Sequence, residues 1–316
     1  MNINVKEIQL AIVIPFYKIS FFEETLKSLA AQSDKRFNLY IGDDASFESP
    51  RKFIEKYQGQ LNITYRRFED NLGASDLVGQ WHRCLDLTAN EEWVCVLPDD
   101  DTFSNNVVEE FYKALCLVDI HQIKVFRFPM SMVDEKGKTT QTYCLKEALV
   151  ETNLSFYESV VRGKTPATLG DNIFHKKSLL EQGGFVSFPQ AWGSDHATVL
   201  RASQGGKIFN LKNAHLYFRM SGENISSNRS DGLIKLDARI AFSKWLKNNE
   251  KIFPHTPSEE FYKYFYWKVE EYILKEWAFD IRLFYKLYIL RRICFDSNNI
   301  LPILKILFQR VRGGNQ

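Results

Sequence analysis

The chain has 316 residues, 45% of them hydrophobic and 14% aromatic, which is enough for one large domain or two ordinary ones with a substantial core. Its formal net charge is only +2, so a strongly basic nucleic-acid binder is disfavoured. The cysteines lack the spacing of a zinc site or a C-x-x-C motif. They are interpreted as reduced core residues, and they are Cys84, Cys95, Cys116, Cys144 and Cys294.

No targeting segment or membrane span is recognised in the sequence. The N-terminus, MNINVKEIQL, lacks the basic region and apolar region of a secretion signal. No apolar run reaches the roughly 20 residues needed to cross a bilayer. We therefore expect a cytoplasmic protein.

Strand-like and helix-like segments alternate through the first 128 residues. Continuous apolar runs predict strands that are buried on both faces, and helical periodicity predicts the helices between them. Ser20 and Glu23 are spaced as a capping box, and Ser104 is a candidate helix cap. This alternation indicates a mostly parallel sheet flanked by helices. The predicted strands cover 10–14, 37–41, 62–67, 93–97 and 123–128, and the predicted helices cover 20–32, 51–57, 77–87 and 104–117.

The pattern changes after Pro129. The segment SMVDEKGKTTQTY predicts an antiparallel hairpin with its turn at 135–138. Beyond it we predict a helix near 156–162, a strand at 172–175, a helix from Asp195, and strands at 208–211 and 215–219. From about Leu233 the chain is predicted to be helical and is strongly aromatic.

Two clusters of carboxylates follow predicted strands, Asp43–Asp44 after one and Asp99 to Asp101 after another. Ligands of open parallel sheets bind outside the carboxyl ends of the strands. Adjacent like charges are unfavourable unless a hard cation or a hydrogen-bonded ligand compensates them. A solvated acidic turn with an aspartate cap is the alternative, but two clusters at equivalent strand ends favour a metal–nucleotide site.

Other phosphate-binding folds are disfavoured by missing motifs. The sequence contains no G-x-x-x-x-G-K-[ST], which argues against a P-loop kinase or ATPase. No G-x-G-x-x-G follows the first strand, which argues against a dinucleotide-dependent oxidoreductase.

A series of ordered segments resembles the family 2 inverting glycosyltransferases, which have the GT-A fold. The resemblance runs from about Ile8 to Ser226, and it implies a GT-A domain at 1–230 and a helical C-terminal region at 231–316. Within the domain, 1–128 would be the nucleotide-binding half and 129–230 the acceptor half. The segments are IVIPFYK, LYIGDDAS, NLGASDLVGQWHRCL, VLPDDDTF, GDNIFHKKSLLEQGGF, WGSDHATVLRAS and HLYFRMSGENIS.

The resemblance implies a donor site for a nucleotide-diphosphate sugar, with a UDP-sugar favoured. Pro15 and Tyr17 would flank the base pocket. Asp44, together with Asp43, would hydrogen-bond the nucleobase or ribose. Asp99 would lie near the ribose or the sugar.

The same resemblance implies the catalytic groups. Asp100 would bind a Mg²⁺ or Mn²⁺ ion that bridges the diphosphate, with Asp101 as a second ligand or a contact to the sugar. Asp195 would be the general base on the acceptor hydroxyl, and Arg219 would contact the leaving diphosphate. A poor hydroxyl nucleophile needs such a base, and a diphosphate leaving group needs positive charge.

The implied function is transfer of one sugar, with inversion, to a hydroxyl of a glycan or lipid-linked glycan in cell-surface polysaccharide synthesis. The processive-synthase motif Gln-x-x-Arg-Trp is absent. A sugar nucleotidyltransferase is an alternative, but PFYKISFFEE lacks the glycine-rich loop that would grip a triphosphate. A catalytically degenerate scaffold that binds a membrane or a partner is the other alternative.

The sequence departs from the family pattern at several positions. They are Ala45 in place of the usual glycine, Gln80 and His82 in the helix after Asn-Leu-Gly, Pro98 in place of the first aspartate of the DXD motif, and Ser194 before the base. Ala45 is a mild change if its φ is not positive.

Several site residues also have a purely structural interpretation. Asp195 could be only a helix N-cap, Arg219 could pair with a surface carboxylate, and His196 is more often structural than catalytic. His175 and His215 could be core residues. Asn71 to Gly73 is predicted to be a turn that shapes the pocket wall.

The C-terminal region combines apolar and basic residues. Phe265, Val269, Ile273, Trp277, Ile281 and Tyr288 recur at helical spacing. One interpretation is a helical cap packed on the catalytic domain or in an oligomer interface. The other is peripheral contact with the inner face of an anionic membrane, since the basic residues outnumber the acidic ones there.

Overall fold

The computed structural model describes residues 9–165, 167–222, 232–259, 261–262 and 281–295. In chain order the strands are β1 (Leu10–Phe16), β2 (Phe37–Asp43), β3 (Ile63–Arg67), β4 (Trp93–Val96), β5 (Thr102–Phe103), β6 (Ile123–Arg127), β7 (Met130–Val133), β8 (Thr139–Tyr143), β9 (Val150–Glu151), β10 (Asn172–His175), β11 (Lys207–Asn210) and β12 (Leu216–Arg219).

The helices are α1 (Phe22–Ala30), α2 (Arg51–Tyr57), α3 (Leu77–Leu85), α4 (Val107–Ala114), α5 (Val118–His121), α6 (Asn153–Val161), α7 (Lys176–Glu181), α8 (Ser194–Ala202), α9 (Gly232–Asn248) and α10 (Ile281–Phe295). Single 3₁₀ turns lie at Leu115–Leu117, Pro189–Ala191 and Glu250–Ile252.

The main sheet has eight strands in the order β3-β2-β1-β4-β10-β6-β11-β9. Neighbouring strands are parallel from β3 to β4 and between β6 and β11, whereas β10 and β9 run antiparallel to their neighbours. All four residues of β4 are buried, as the apolar sequence predicts for a central strand. The predicted fold class, a mostly parallel sheet flanked by helices, is confirmed.

A second sheet, which was not predicted, has four strands in the order β5-β12-β7-β8. It contains the predicted hairpin of β7 and β8, with Gly137 in the turn at a φ of 76°. In β12, Leu216 pairs with Phe103 of β5, and Arg219 pairs with Val133 of β7. The second sheet therefore brings Arg219 next to the segment that follows the aspartates after β4.

Two apolar cores cover the two faces of the main sheet. Along β1, Ala11 and Val13 belong to one core, while Leu10, Ile12 and Ile14 belong to the other. This alternation is the two-residue period of a strand with both faces buried. The C-terminal helices join the first core, to which Phe242 of α9 and Leu287 of α10 contribute buried side chains.

Packing on the domain is thus the observed arrangement for the described part of the C-terminal region. No helix among the described residues is long and apolar enough to span a bilayer. Phe265, Val269, Ile273 and Trp277 of the predicted apolar stripe lie outside the described residues.

Three local predictions were wrong. Helix α1 begins at Phe22 without a side-chain cap, so Ser20 and Glu23 do not form a capping box. Ser104 does not cap α4, because Asn106 takes that position and the Ser104 hydroxyl accepts from the His215 N–H at 3.0 Å. The cysteines are not all core residues: Cys84 and Cys95 are buried, but Cys116 and Cys144 are exposed, and these four are unpaired.

Candidate active site

The loops that follow β1, β2 and β4 are hydrogen-bonded to one another at the carboxyl edge of the sheet. The Asp99 carboxylate after β4 accepts the backbone N–H groups of Tyr17 and Lys18, at 2.7 and 2.8 Å. The Ser46 hydroxyl after β2 donates to the Tyr17 carbonyl at 2.5 Å. The two predicted aspartate clusters therefore lie on either side of the loop that contains Tyr17. Pro15 lies near the end of β1, just before this loop.

The β2 pair of aspartates is held entirely by protein donors. Asp43 accepts from the Ser46 N–H at 2.9 Å and from the Tyr65 hydroxyl at 2.6 Å. Asp44 accepts from the N–H groups of Leu72 and Gly73, both at 2.9 Å. Both side chains are buried, and burial raises the pKa of Asp44 against the opposing effect of these hydrogen bonds.

Asp44 is also paired with Arg83 of α3, whose guanidinium in turn binds Asp70 at 2.8 Å and lies 4.1 Å from the centre of the Phe68 ring. A Cβ on Gly73 would lie 2.5 Å from an Asp44 carboxylate oxygen, so a larger residue there would have to displace that side chain. The predicted turn at Asn71–Gly73 therefore forms the wall around Asp44.

The three aspartates after β4 form what we call the acidic loop, Asp99 to Asp101. Burial and the neighbouring Asp100 raise the pKa of Asp99 to about 7. The same two causes, burial first, raise the pKa of Asp101 well above its ordinary value. Asp101 is fully buried, and Asp100 is half-buried.

Asp101 has one oxygen with a donor and one without. Its Oδ1 accepts from the Arg219 N–H at 2.8 Å, whereas its Oδ2 is buried and has no hydrogen-bond partner among the described residues. Such an oxygen is costly unless it is protonated or meets a cation. A lone carboxylate oxygen beside Asp100 suits a hard divalent ion.

The described residues include no group of three or more His, Cys, Asp or Glu side chains that could hold a metal by themselves. Mg²⁺ typically takes one or two carboxylates and fills its other positions with phosphate oxygens and water. Asp100 and Asp101 fit that smaller requirement.

Arg219 lies beneath the acidic loop, with only 2% of its surface exposed. Its Nε donates to the Asp100 carbonyl at 3.1 Å, and Nη1 donates to the Glu135 carbonyl in the β7–β8 turn at 3.1 Å. Nη2 pairs with Glu24 of α1 at 2.5 Å. Arg219 does pair with a surface carboxylate, since the Glu24 side chain is 55% exposed, but its guanidinium also joins the acidic loop to the hairpin.

Asp195 lies in the first turn of α8, and its side chain is 25% exposed. The N-cap is Gly193, with a φ of 88°, so the interpretation of Asp195 as the cap is wrong. Burial raises the pKa of Asp195, and the negative charge of Asp171 raises it further. The centre of the His196 ring lies 6.1 Å from the centre of the Tyr157 ring and 6.4 Å from that of the Phe242 ring.

Gly170 and Asp171 connect the acidic loop to the surroundings of Asp195. A Cβ on Gly170 would lie 3.2 Å from Pro98, the residue before the acidic loop. The next residue, Asp171, pairs with the fully buried Arg127 at 2.8 Å. This close approach ties the end of β4 to the half of the domain that carries Asp195.

Sequence reasoning missed these supporting residues, which are Glu24, Arg83, Arg127, Gly170 and Asp171. Glu24, Arg83 and Arg127 lie on elements that were predicted for other reasons, and the partner of each is far away in sequence. Arg83 and Asp44 are separated by 39 residues, and Arg219 and Glu24 by 195. A lone Arg or Glu in a helical pattern gives no sign of such a partner.

The structure shows the local role of three residues that depart from the family pattern. Ala45 has a positive φ of 53°, so alanine in place of the usual glycine is not a mild change here. His82 accepts the Phe185 N–H at 2.8 Å, and Gln80 donates to the Gly42 carbonyl at 3.1 Å, so both hold neighbouring segments.

The two other histidines have structural contacts. His175 caps α7 and accepts from the Ser178 N–H at 3.3 Å. His215 lies 2.8 Å from the Ser131 hydroxyl. Burial lowers the pKa of both, which keeps them neutral near pH 7.

The sheet order, with acidic loops at the ends of two parallel strands and a second small sheet beside them, defines an α/β protein of the GT-A nucleotide-diphospho-sugar transferase class. Residues 11–167 match the family model described as "Glycosyl transferase family 2". Residues 11–167, about half of the chain, therefore belong to this family.

Two curated relatives show how far the sequence similarity extends. An uncharacterized glycosyltransferase of Mycoplasma genitalium, MG060, is 34% identical over 109 residues, which are 33% of this chain and 36% of that protein. The poly(ribitol-phosphate) beta-N-acetylglucosaminyltransferase TarS of Staphylococcus aureus is 23% identical over 225 residues, 69% of this chain and 37% of TarS. The chain thus spans little more than a third of these relatives.

The fold is also similar to solved structures of TarS. For TarS residues 1–349 the TM-score is 0.64 at 17% identity, with 91% of this chain and 81% of that chain covered. The same fragment in complex with UDP-GlcNAc gives a TM-score of 0.56 at 21% identity, covering 91% of this chain and 73% of that one. At these identities the similarity concerns the fold alone.

Proposed function

We propose that the chain is an inverting glycosyltransferase that moves a single sugar from a UDP-sugar to a hydroxyl of a glycan or lipid-linked glycan during synthesis of a cell-surface polysaccharide. The observation that carries this proposal is the acidic loop, whose Asp101 has a buried oxygen without a donor in the part of the chain that the structure describes. Such a loop is suited to a ligand that brings a cation with it. The UDP and UDP-GlcNAc in the TarS complexes support the choice of nucleotide.

The donor would bind at the edge where the loops after β1, β2 and β4 meet. Pro15 and Tyr17 would line one side of the base pocket, and Asp99 would keep their loop in place through its two backbone hydrogen bonds. Asp43 and Asp44 would form the other side. Because their oxygens already accept protein donors, we assign them chiefly to the shape of the pocket.

The diphosphate would lie over the acidic loop. Asp100 and Asp101 would hold a Mg²⁺ or Mn²⁺ ion, which as a Lewis acid would stabilise the charge that develops on the leaving group. Arg219, directly beneath the loop, would add positive charge to the same region and keep Asp100 in position through its bond to the Asp100 carbonyl.

Asp195 would take the proton from the acceptor hydroxyl as that oxygen attacks. Burial raises its pKa, which makes it a stronger base than an exposed aspartate while leaving it 25% exposed to the acceptor. Attack from the face opposite the diphosphate inverts the configuration at the anomeric carbon. One base is sufficient, and no covalent intermediate forms.

The donor test is a thermal-shift series on purified protein with UDP, UDP-GlcNAc and GDP-mannose, each with Mn²⁺, Mg²⁺ or EDTA. A bound ligand stabilises the folded state by RT ln(1 + [L]/Kd), so a ligand at about 100 times Kd gives a clear shift. We expect a shift with UDP and UDP-GlcNAc that is largest with a divalent ion. Asp100→Asn should abolish the metal-dependent part.

The matched control is Asp119→Asn, an exposed aspartate on α5, which should shift like the wild type. A UDP shift that is equal in EDTA and in Mn²⁺ would contradict the metal assignment but leave the donor assignment standing. Absence of any nucleotide shift would contradict the donor assignment and favour the scaffold alternative.

A further inference from the structure

A cleft of about 270 Å³ lies between the start of α3 and the loop that leads into α8. None of its lining residues takes part in the donor site proposed above. On one side the lining includes Ser75 and Asp76, and on the other side Ser187, Phe188, Gln190 and Ala191.

The two walls of this cleft, which we call the α3–α8 cleft, lead to the two halves of the proposed reaction. The α3 wall follows directly on the turn in which Leu72 and Gly73 donate their N–H groups to Asp44. The opposite wall runs into α8, where Asp195 lies in the first turn. The cleft therefore separates the donor side from the proposed base.

The loop on the α8 side has an unfavourable backbone. Gln190 and Ala191 have φ values of 52° and 55°, in the left-handed region that residues other than glycine rarely occupy. Such conformations persist where the surrounding structure imposes them, and they occur often at binding sites.

Contacts from behind hold this loop in place. The Phe188 N–H donates to the Ser194 hydroxyl at 3.2 Å, and the Val186 N–H donates to the Thr198 hydroxyl at 3.0 Å. Helix α9 packs behind it, with the Phe242 ring 5.5 Å from that of Phe188. A ligand in the cleft would thus meet a preformed wall that is connected directly to α8.

The chemistry of the lining selects the kind of ligand. Asp76 is the one charged residue among the described residues that line the cleft, and its Oδ1 already accepts the Gly79 N–H at 2.8 Å as the N-cap of α3. A phosphate would find no cation among these described lining residues. Serine hydroxyls and a glutamine amide beside Phe188 instead suit the hydroxyl groups and C–H faces of a neutral sugar or polyol.

We propose that the α3–α8 cleft is an acceptor subsite, which binds one neutral polyhydroxyl unit of the acceptor and so determines which hydroxyl reaches Asp195. Pockets for drug-sized ligands are about 300–1,000 Å³, so the volume of this cleft suits a single sugar or polyol unit. The assignment to the acceptor rests on the proposed function, whereas binding of a neutral polyol does not.

The test is ligand-detected saturation-transfer NMR on the full chain with ribitol, methyl β-D-glucopyranoside and N-acetylglucosamine. We expect at least one of these probes to bind, and Ser187→Trp to weaken it about tenfold by filling the cleft. Ser187 is exposed, so this variant should fold. The matched control, Thr140→Trp on the exposed strand β8, should bind like the wild type.

Two further measurements separate this inference from the proposed function. The UDP thermal shift should be the same in Ser187→Trp as in the wild type, and inorganic phosphate should not displace the polyol. Failure of all three probes to bind, equal binding by Ser187→Trp, or displacement by phosphate would overturn the inference. If a polyol binds and Ser187→Trp weakens its binding, but UDP gives no thermal shift, the site would be upheld and its role in glycosyl transfer rejected.

Discussion

The two aspartate clusters at the carboxyl edge of the sheet differ in how their charge is compensated. At the end of β2, Asp43 and Asp44 receive protein donors on both oxygens, including the guanidinium of Arg83. At the end of β4, Asp101 keeps one buried oxygen without a hydrogen bond among the described residues. The first cluster is complete within the protein, and the second requires a proton or a cation.

This difference predicts that the acidic loop gives the largest pH effect on stability. The pKa of Asp99 is about 7 in the folded protein against 3.8 ordinarily, so the native state binds more protons than the unfolded state between these values. In metal-free protein the free energy of unfolding should therefore fall as pH rises from about 4 to 7, by up to about 4 kcal/mol. Urea denaturation at a series of pH values measures this.

Asp99→Asn should remove this fall, because an amide oxygen can still accept the Tyr17 and Lys18 N–H groups without titrating. Asp119→Asn is the control and should keep the full slope. A stability that rises with pH over this window in metal-free protein would mean that the acidic loop is ionised without a cation.

Removal of Arg83 tests whether the charge of the β2 aspartates is compensated by the protein itself. Arg83→Leu would leave Asp44 buried without its guanidinium, and breaking a buried pair is expected to cost about 3 kcal/mol. Chemical denaturation measures the loss. Arg67→Leu is the matched control, since Arg67 is 47% exposed and pairs with Asp43 at 3.0 Å; its loss should stay below about 1 kcal/mol. Equal losses would refute the distinction.

The close approach of Gly73 to Asp44 gives the next effect. In Gly73→Ala the added Cβ would meet an Asp44 oxygen at 2.5 Å, and we expect a destabilisation of about 2 kcal/mol together with weaker UDP binding. Gly59→Ala is the control, because nothing lies within 4 Å of its Cβ position. Thermal unfolding with and without UDP would measure both changes, and a variant as stable as the control would contradict the close approach.

The smallest expected effect is at Ala45, the residue that follows the β2 pair. Ala45→Gly should stabilise the protein by about 0.5 kcal/mol, since the relief of a φ of 53° exceeds the added freedom of the unfolded chain. Ala31→Gly, at an ordinary φ of −87°, should be neutral or destabilising. If both substitutions destabilise equally, the left-handed conformation at Ala45 is not strained.

Local chemistry made several features predictable from the sequence. Continuous apolar runs identified β1, β2 and β4, because a strand buried on both faces can carry few polar residues. Strand ends followed by aspartates placed both carboxylate clusters at one edge, because neighbouring parallel strands end on the same side. The hairpin of β7 and β8 followed from its polar turn with Gly137.

Other features depend on contacts between distant parts of the chain. The second sheet pairs β12 with β5, which is only two residues long and so has no sequence pattern that would predict a strand. The place of Arg219 beneath the acidic loop follows from that pairing, and the same sequence could equally have left it on the surface. The cap of α1 was mispredicted because residue spacing alone does not show whether the Ser20 side chain meets a free N–H.

The sequence by itself determined the parallel core of the sheet, the position of its acidic edge and the family, since these depend on residue order and local burial. The tertiary structure decided which aspartates are neutralised by the protein and which are not. It did so because compensation depends on donors brought from α3, from β12 and from α1, and such partners are selected by packing across the whole domain.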